Sequence, residues 1–160
     1  MLKRHFMFVL TAVAVLAGCA SAPSPVSVAG TVAARPQLST LNSLIVKAGL
    51  TDTLQGTGPF TVFAPTNEAF AKVPAKTMEA LASDPAKLKA VLTYHVISGK
   101  LMVADIKNGN SKTLNGANLA QSRAGDFVTV EDALVQTPDI AASNGVVHVV
   151  DGVLLPPASR

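Results

Sequence analysis

Cysteine, charge and aromatic side chains are all scarce in this chain of 160 residues. Cys19 is the only cysteine, so no disulfide can form within the chain. Only 14% of the residues are charged, and the net charge is +3. Lys3 and Arg4 alone contribute two of those positive charges. A chain with so little net charge lacks the basic surface that nucleic-acid backbones require, and we expect no nucleic-acid partner.

Residues 1–18 have the pattern of a secretory signal peptide. Lys3 and Arg4 form the positive end, and an apolar run from Phe6 to Ala17 follows, which is too short to span a bilayer. The next residues, Leu16-Ala17-Gly18-Cys19, resemble the bacterial lipobox, in which the cysteine sulfur is alkylated by diacylglycerol. We therefore predict export and lipid attachment at Cys19. The alternative is cleavage elsewhere, with Cys19 in the discarded piece.

Residues 19–29 are predicted to form the lipidated N-terminus and a flexible tether. This stretch contains Ala, Ser, Pro, Val and Gly and no charge, and Pro23 and Pro25 favour an extended chain. Ala20 stands where many Gram-negative lipoproteins carry an acidic residue that marks retention at the inner membrane. In a host with two membranes we therefore expect the outer membrane, with the domain facing the periplasm or the cell surface.

Motifs of enzymes and of metal sites are missing. There is no Gly-x-Ser-x-Gly elbow and no phosphate loop, and Gly56-Thr57-Gly58 lacks the third glycine of a dinucleotide fingerprint. Ser98, one histidine of His95 and His148, and Asp151 could form a triad only if the fold assembled them. Those two histidines lie far apart in sequence, whereas zinc sites need three or four ligands. We predict a protein that is not an enzyme and holds no metal or cofactor.

Residues 30–157 are predicted to form one α+β domain. Leu38 to Ala48 has helical spacing with Ser39 or Thr40 as a cap, and Gly49 could end it. Further helices are predicted to begin at Thr66-Asn67-Glu68, to cover Met78 to Ala82, and to begin at Pro85 and run to His95 or Val96, closed by Gly99.

The second half of the chain has the pattern of short strands. Turn signals stand at Asn115-Gly116, Ala124-Gly125-Asp126 and Asn144-Gly145. Val146 to Leu155 predicts a buried strand, a bend and a second strand piece. Helices that come early and strands that come late favour an α+β fold.

Four sequence blocks resemble the fasciclin (FAS1) family. The first and last are "GPFTVFAPTNEAF" at 58–70 and "NGVVHVVDGVLLP" at 144–156, with "LTYHVISGK" and "PDIAASNG" between them in the family's order. The resemblance implies a bacterial FAS1 lipoprotein with a compact wedge of two β-sheets and helices packed along one edge. Glu131-Asp132 departs from the family, because many members have an Asn-Gly turn there.

The resemblance implies a membrane-anchored extracytoplasmic module for binding or adhesion, with a protein or an envelope glycan as partner. Tyr94, His95, Asp139 and Ile140 are the candidate partner contacts. Each has a structural alternative: Tyr94 and His95 could close a helix against the sheet, and Asp139-Ile140 could be a loop acid followed by a core residue. The second functional hypothesis is a carrier of a small apolar ligand, a lipid or a pigment, in the cell envelope.

Overall fold

The computed structural model describes residues 26–157, so the predicted signal peptide and Cys19 lie outside the described residues. Within this range, six short helices pack beside a seven-stranded sheet. The helices are α1 Val28–Ala33, α2 Ser39–Lys47, α3 Thr51–Gln55, α4 Asn67–Ala71, α5 Ala75–Ser83 and α6 Pro85–Tyr94. Single 3₁₀ turns cover Pro36–Leu38 and Val103–Asp105.

The strands follow one continuous order, β2-β1-β7-β6-β5-β4-β3. Their bounds are β1 Phe60–Pro65, β2 Val96–Ser98, β3 Gly109–Lys112, β4 Asn118–Ala124, β5 Phe127–Val130, β6 Ala133–Ala142 and β7 Gly145–Val150. Only the β1–β7 pair is parallel among these neighbours. The α+β prediction is confirmed.

The long strand β6 joins the two expected sheets into one. Its first residues pair with β5, while the stretch from Val135 to Ala142 pairs with β7, with irregular register on both sides of Thr137. Such bulges bend a strand and increase its twist. The bend lets one strand serve both halves, so the wedge is a single sheet folded through β6.

Two apolar clusters lie on the two faces of the β1–β7 pair. Val62 and Val147 are paired across these strands and belong to the cluster that the helices cover. Phe63, one residue further along β1, faces the other cluster, which lies inside the curved sheet with Val150. The two signature blocks therefore meet across the β1–β7 pair, and they build two cores, because successive strand residues point to opposite faces.

Two helices begin where the sequence predicts, at Thr66-Asn67-Glu68 and at Pro85, and the cap of the second by Asp84 is an addition of the structure. The Thr66 hydroxyl accepts from the Ala69 N–H at the start of α4, and the Asp84 carboxylate accepts from Ala86 and Lys87 at the start of α6. The predicted cap of α2 by Ser39 or Thr40 is wrong. Asn67, 27 residues away, accepts from the Thr40 N–H at 2.9 Å instead. Gly49 follows α2 with φ +66°, as a terminating glycine does.

Three predicted boundaries differ from the structure. Val28 and Ala29, predicted to belong to the tether, are buried in α1, which Ser27 caps. The helix expected to reach His95 or Val96 ends at Tyr94 with His95 as its cap, because Val96 to Ser98 pair with β1 as strand β2. Residues 153–155 form no strand, although Leu154 is buried in the inner cluster.

Candidate functional site

Tyr94 is the last residue of α6, and its side chain is 1% exposed. Its hydroxyl donates to Glu131 Oε1 at 2.8 Å, and its oxygen also lies 3.0 Å from the carbonyl oxygen of Asn118. Burial raises the pKa of the Tyr94 hydroxyl, and the adjacent Glu131 carboxylate raises it further. The phenol therefore links α6 to the β5–β6 turn and offers no surface to a partner.

Glu131 preserves the β5–β6 hairpin despite departing from the Asn-Gly pattern. Its φ is +53°, a conformation that Asn or Gly adopts more easily. Its carboxylate accepts from both the Tyr94 hydroxyl and the Ala120 N–H, at 2.8 and 2.9 Å. Charge-assisted bonds of this kind offset the backbone strain.

His95 follows Tyr94 as the C-terminal cap of α6, and it is 2% exposed. Its Nδ1–H donates to the Val91 carbonyl oxygen at 2.8 Å, and its Nε2 accepts from the Leu154 N–H at 3.0 Å. Both ring nitrogens are thus engaged inside the protein in the neutral form. The interpretation of Tyr94 and His95 as surface contacts does not fit this burial.

Acidification should destabilise the domain through His95. Burial lowers its pKa to about 4, against about 6.5 in an unfolded chain, and the Val91 carbonyl only partly opposes this. The unfolded state therefore binds the proton first, and the stability present above pH 6.5 is lost as the pH falls towards 4, by up to about 3 kcal/mol. His148, whose pKa burial also lowers, acts in the same direction.

Urea unfolding at pH 7.5 and at pH 4.5 measures this loss. His95→Gln should be less stable than the original protein at pH 7.5, because its amide cannot reproduce both imidazole bonds, and its stability should depend less on pH. Equal pH dependence in the two proteins would show that His95 is not the titrating group.

Asp139 lies in the irregular part of β6, with φ +54°. Its backbone N–H donates to His148 Nδ1 at 3.1 Å, and its Oδ1 accepts from the Val103 N–H at 2.8 Å. His148 is fully buried, and its Nε2–H donates to the Leu101 carbonyl at 2.8 Å. Asp139 therefore connects the interior of the domain to the 3₁₀ turn that begins at Val103. Its residue surface is exposed, so this candidate contact is accessible.

Beside Asp139 the surface forms an apolar hollow, here called the Phe127 groove. Its volume is about 360 Å³, and its lining consists of Val103, Asp126, Phe127, Val128, Leu134, Val135, Gln136 and Pro138. The Phe127 side chain is 69% exposed, the highest value among the large apolar side chains that the structure describes as exposed. The sequence interpretation missed Phe127. The signal available was an aromatic residue directly after the Gly125-Asp126 turn.

The walls of the Phe127 groove are held by polar contacts. Arg123 Nη1 donates to the carbonyl oxygens of Val103 and Ala104, at 3.1 and 3.0 Å, while Asp139 holds the Val103 N–H. Ile140, the remaining candidate contact, is half-buried and packs against the helix-side core. Asp139 thus supports the groove, whereas Ile140 anchors the strand behind it.

The possible triad is not assembled among residues 26–157. Both imidazoles use their two ring nitrogens on backbone groups, and Asp151 Oδ1 accepts from the Leu134 N–H at 2.7 Å. Within the same residues no group of three His, Cys, Asp or Glu side chains is placed to hold a metal ion. Among the helices of residues 26–157, none has both the length and the apolar composition of a membrane span.

The architecture defines a FAS1-type domain. It is similar to the solved FAS1 domain pair of the insect cell adhesion molecule Fasciclin I, with a TM-score of 0.65 over 81% of this chain and 51% of that one. At 20% identity this likeness shows the fold alone. The Fasciclin domain model matches residues 36–156, and the chain belongs to that family, which is associated with cell adhesion.

Bacterial relatives are considerably closer in sequence. Protein sll1483 of Synechocystis is 41% identical over 140 residues, which cover 86% of this chain and 78% of that protein. The cell surface glycolipoprotein MPB83 of Mycobacterium bovis is 40% identical over 148 residues, covering 89% of this chain and 64% of the relative.

Proposed function

We propose that this protein is a binding module held outside the cytoplasm by lipid on Cys19, and that the Phe127 groove contacts its partner. The lipobox-like sequence and the cell surface glycolipoprotein among its relatives support an exported, anchored protein. In a host with two membranes the anchor lies in the outer membrane. The partner is a protein or a glycan of the cell envelope or of another cell.

The observation that carries this proposal is the exposure of Phe127 over an apolar hollow. An aromatic side chain that leaves most of its surface in water gains free energy when a partner covers it, roughly 1.5–3 kcal/mol for full burial. Aromatic anchors in such hollows dominate many interfaces. Asp126 lines the hollow, and the accessible Asp139 follows its lining residue Pro138 in sequence, so both carboxylates can accept hydrogen bonds from the partner.

Anchoring compensates for the small size of the groove. A contact of this area binds weakly as one copy, since association must first overcome the loss of translational and rotational freedom. Many copies on one membrane face a multivalent partner together, and the effective concentration of each further contact is then high. We therefore expect weak binding by single domains and lasting attachment by anchored arrays.

Crosslinking in intact cells, followed by recovery of the tagged protein, tests this function. The original protein should enrich a partner over background. The Phe127→Ser variant should recover at least fivefold less of that partner, because one aromatic anchor is lost. Val46→Ser is the matched control, because Val46 is 61% exposed on α2, away from the groove lining. If no partner is enriched over an unrelated lipoprotein, the binding function is contradicted. If both variants recover equally less of the partner, the Phe127 groove is not the binding site.

A carrier of a small apolar ligand is the second candidate. The apolar lining and the volume of the Phe127 groove favour it, because pockets of roughly 300–1,000 Å³ hold small ligands. Native mass spectrometry of protein purified from its own host should then show an added mass that Phe127→Ser reduces. If every preparation shows only the mass of the ligand-free chain, the carrier function is excluded.

A further inference from the structure

His148 is a fully buried imidazole on β7, and its two ring nitrogens hold two other segments of the chain. Its Nε2–H donates to the Leu101 carbonyl oxygen at 2.8 Å, while its Nδ1 accepts from the Asp139 N–H at 3.1 Å. Only the neutral ring can make both bonds, because an imidazolium carries a proton on each nitrogen and accepts no hydrogen bond. The bond from the Asp139 N–H is therefore lost whenever His148 takes up a proton.

Asp139 has a backbone conformation that depends on its surroundings. Its φ of +54° lies in the left-handed region, where a residue with a side chain persists only if neighbouring contacts hold it. It also lies between Thr137 and Ile140, where the register of β6 against β7 is irregular. Protonated Nδ1 would direct its new hydrogen at the Asp139 N–H, and the backbone at this bulge would turn away from the ring.

The Asp139 carboxylate favours the same rearrangement. Its Oδ1 lies 4.0 Å from His148 Nδ1 and accepts from the Val103 N–H at 2.8 Å. A proton on Nδ1 gives this carboxylate a charged donor, and charge-assisted hydrogen bonds are stronger than those to a neutral amide. As the carboxylate turns towards the imidazolium, the Val103 N–H loses its acceptor.

The surroundings of His148 keep the ring neutral near pH 7. Burial lowers the pKa of His148, and the Leu101 carbonyl and the Asp139 carboxylate oppose this in part. Other charged groups on the elements around the ring are Lys100, Asp105 and Arg123, but Asp139 is the one whose charge acts on the imidazole. The ring therefore takes up its proton only when the pH falls below the usual histidine pKa of about 6.5.

The segments that would move belong to the wall of the Phe127 groove. Val103 lines the groove, and so does Pro138, the residue before Asp139. Arg123 keeps its bonds to the carbonyl oxygens of Val103 and Ala104, so the 3₁₀ turn stays attached to β4 while the Val103 N–H is released. Protonation of one buried ring can thus change the shape of an exposed groove without unfolding the domain.

We propose that His148 and Asp139 form a pH switch of the Phe127 groove, here called the His148 switch. The neutral imidazole holds the groove in its binding shape, and protonation releases Asp139 and Val103, so that the partner dissociates in acidic surroundings. This regulation rests on the function proposed above for the groove. The rearrangement itself takes place in the free domain and can be measured without a partner.

Nuclear magnetic resonance of the ¹⁵N-labelled full chain, purified in detergent, tests the His148 switch between pH 7.5 and pH 4.5. The Asp139 and Val103 amide signals should shift with the same midpoint as the His148 imidazole, and their protection factors against hydrogen exchange should fall at least tenfold. The proposal is overturned if His148 stays neutral down to pH 4.5, if both amides stay unchanged while it titrates, or if the whole domain unfolds in the same step.

Two histidine variants separate the His148 switch from the acid sensitivity of His95. His148→Gln has no titrating ring at this position, so the Asp139 and Val103 amides should show no common transition. His95→Gln is the matched control, because it removes the other buried imidazole and should keep the transition at its original midpoint. A common transition that survives in His148→Gln overturns the proposal.

Asp139→Asn provides a comparison that leaves the buried ring in place. Asparagine tolerates the left-handed conformation, and its amide oxygen can still accept from the Val103 N–H. Removal of the negative charge should move the His148 midpoint to lower pH, because this charge raises the pKa of the imidazole. An unchanged midpoint would show that the carboxylate takes no part, and the proposed rearrangement would be wrong.

Crosslinking in cells suspended at the two pH values connects the His148 switch to binding. Recovery of the partner should fall at least fivefold at the pH where the two amides have shifted, and His148→Gln should recover equal amounts at both. Equal recovery by the original protein overturns the regulation and leaves the binding function intact. If no partner is recovered at either pH, the binding function is contradicted, and the amide titration alone supports or overturns the switch.

Discussion

Phe63→Ala should lower the free energy of unfolding by about 3–5 kcal/mol. Phe63 is 0% exposed in the inner cluster. Its ring also stacks on the imidazole of His148, with centroids 5.5 Å apart and planes inclined by 26°. Truncation would leave a cavity inside the curved sheet and remove the support of the histidine that positions Asp139.

Thermal and urea unfolding measure this cost, with Phe127→Ala as the matched control. The control removes the same atoms from a side chain that is mostly in water, so we expect a change within about 0.5 kcal/mol. Phe63→Leu keeps most of the volume and should cost less than Phe63→Ala. An unchanged melting temperature for Phe63→Ala would mean that the inner cluster is not the core described here.

Cys19→Ala should abolish incorporation of labelled fatty acid and move the mature protein, or its unprocessed precursor, out of the membrane fraction. The physical reason is that each buried methylene of an acyl chain contributes about 0.8 kcal/mol, so that more than one chain gives lasting attachment. No other cysteine can take over the modification, since Cys19 is the only one. Ser21→Ala, two residues further on, is the control and should label and fractionate normally.

The same experiment on the original protein can contradict lipid attachment. An original protein that takes up no labelled fatty acid, is recovered entirely soluble and has an N-terminus other than Cys19 would contradict lipid attachment. The binding proposal would then concern a secreted domain, for which multivalency has to come from the partner.

Features set by neighbouring residues could be predicted from the sequence. Thr66 caps the helix that follows it within three residues, and Gly116 and Gly125 occupy left-handed positions in the turns on either side of β4. The pairing of the two signature blocks was also predictable, because both are apolar runs that need a covered sheet position.

Features set by distant residues could not be predicted in this way. The cap of α2 comes from Asn67, and Val96 joins β1 as a strand although its spacing continues the helical face before it. For Tyr94 and His95 the sequence left two alternatives open, a partner contact and the closing of a helix against the sheet, and the structure has the second. Only the fold brings Glu131 and Leu154 to satisfy their polar groups in the interior.

The candidate site was predictable in part. The family resemblance pointed to Asp139. Phe127 lies in a short strand in which more exposed residues alternate with buried ones, and this pattern fits any edge of a sheet. Which of its faces is covered depends on where β6 bends, and no local pattern of the sequence encodes that bend.

The parallel pairing of β1 with β7 has a consequence for the order in which the chain can fold. Phe60 and Gly145 are direct partners, and an ideal Cβ on Gly145 would collide with the Phe60 backbone, so the two segments approach closely. Contacts between such distant positions form late, because the intervening loop must first be closed. Until then the edge of β1 that pairs with β7 is open, although its other edge can already pair with β2, and an apolar strand with an open edge is prone to aggregation. A chain cut short before β7 would therefore lose the centre of its sheet, and a nascent copy stays vulnerable until β7 has been synthesised.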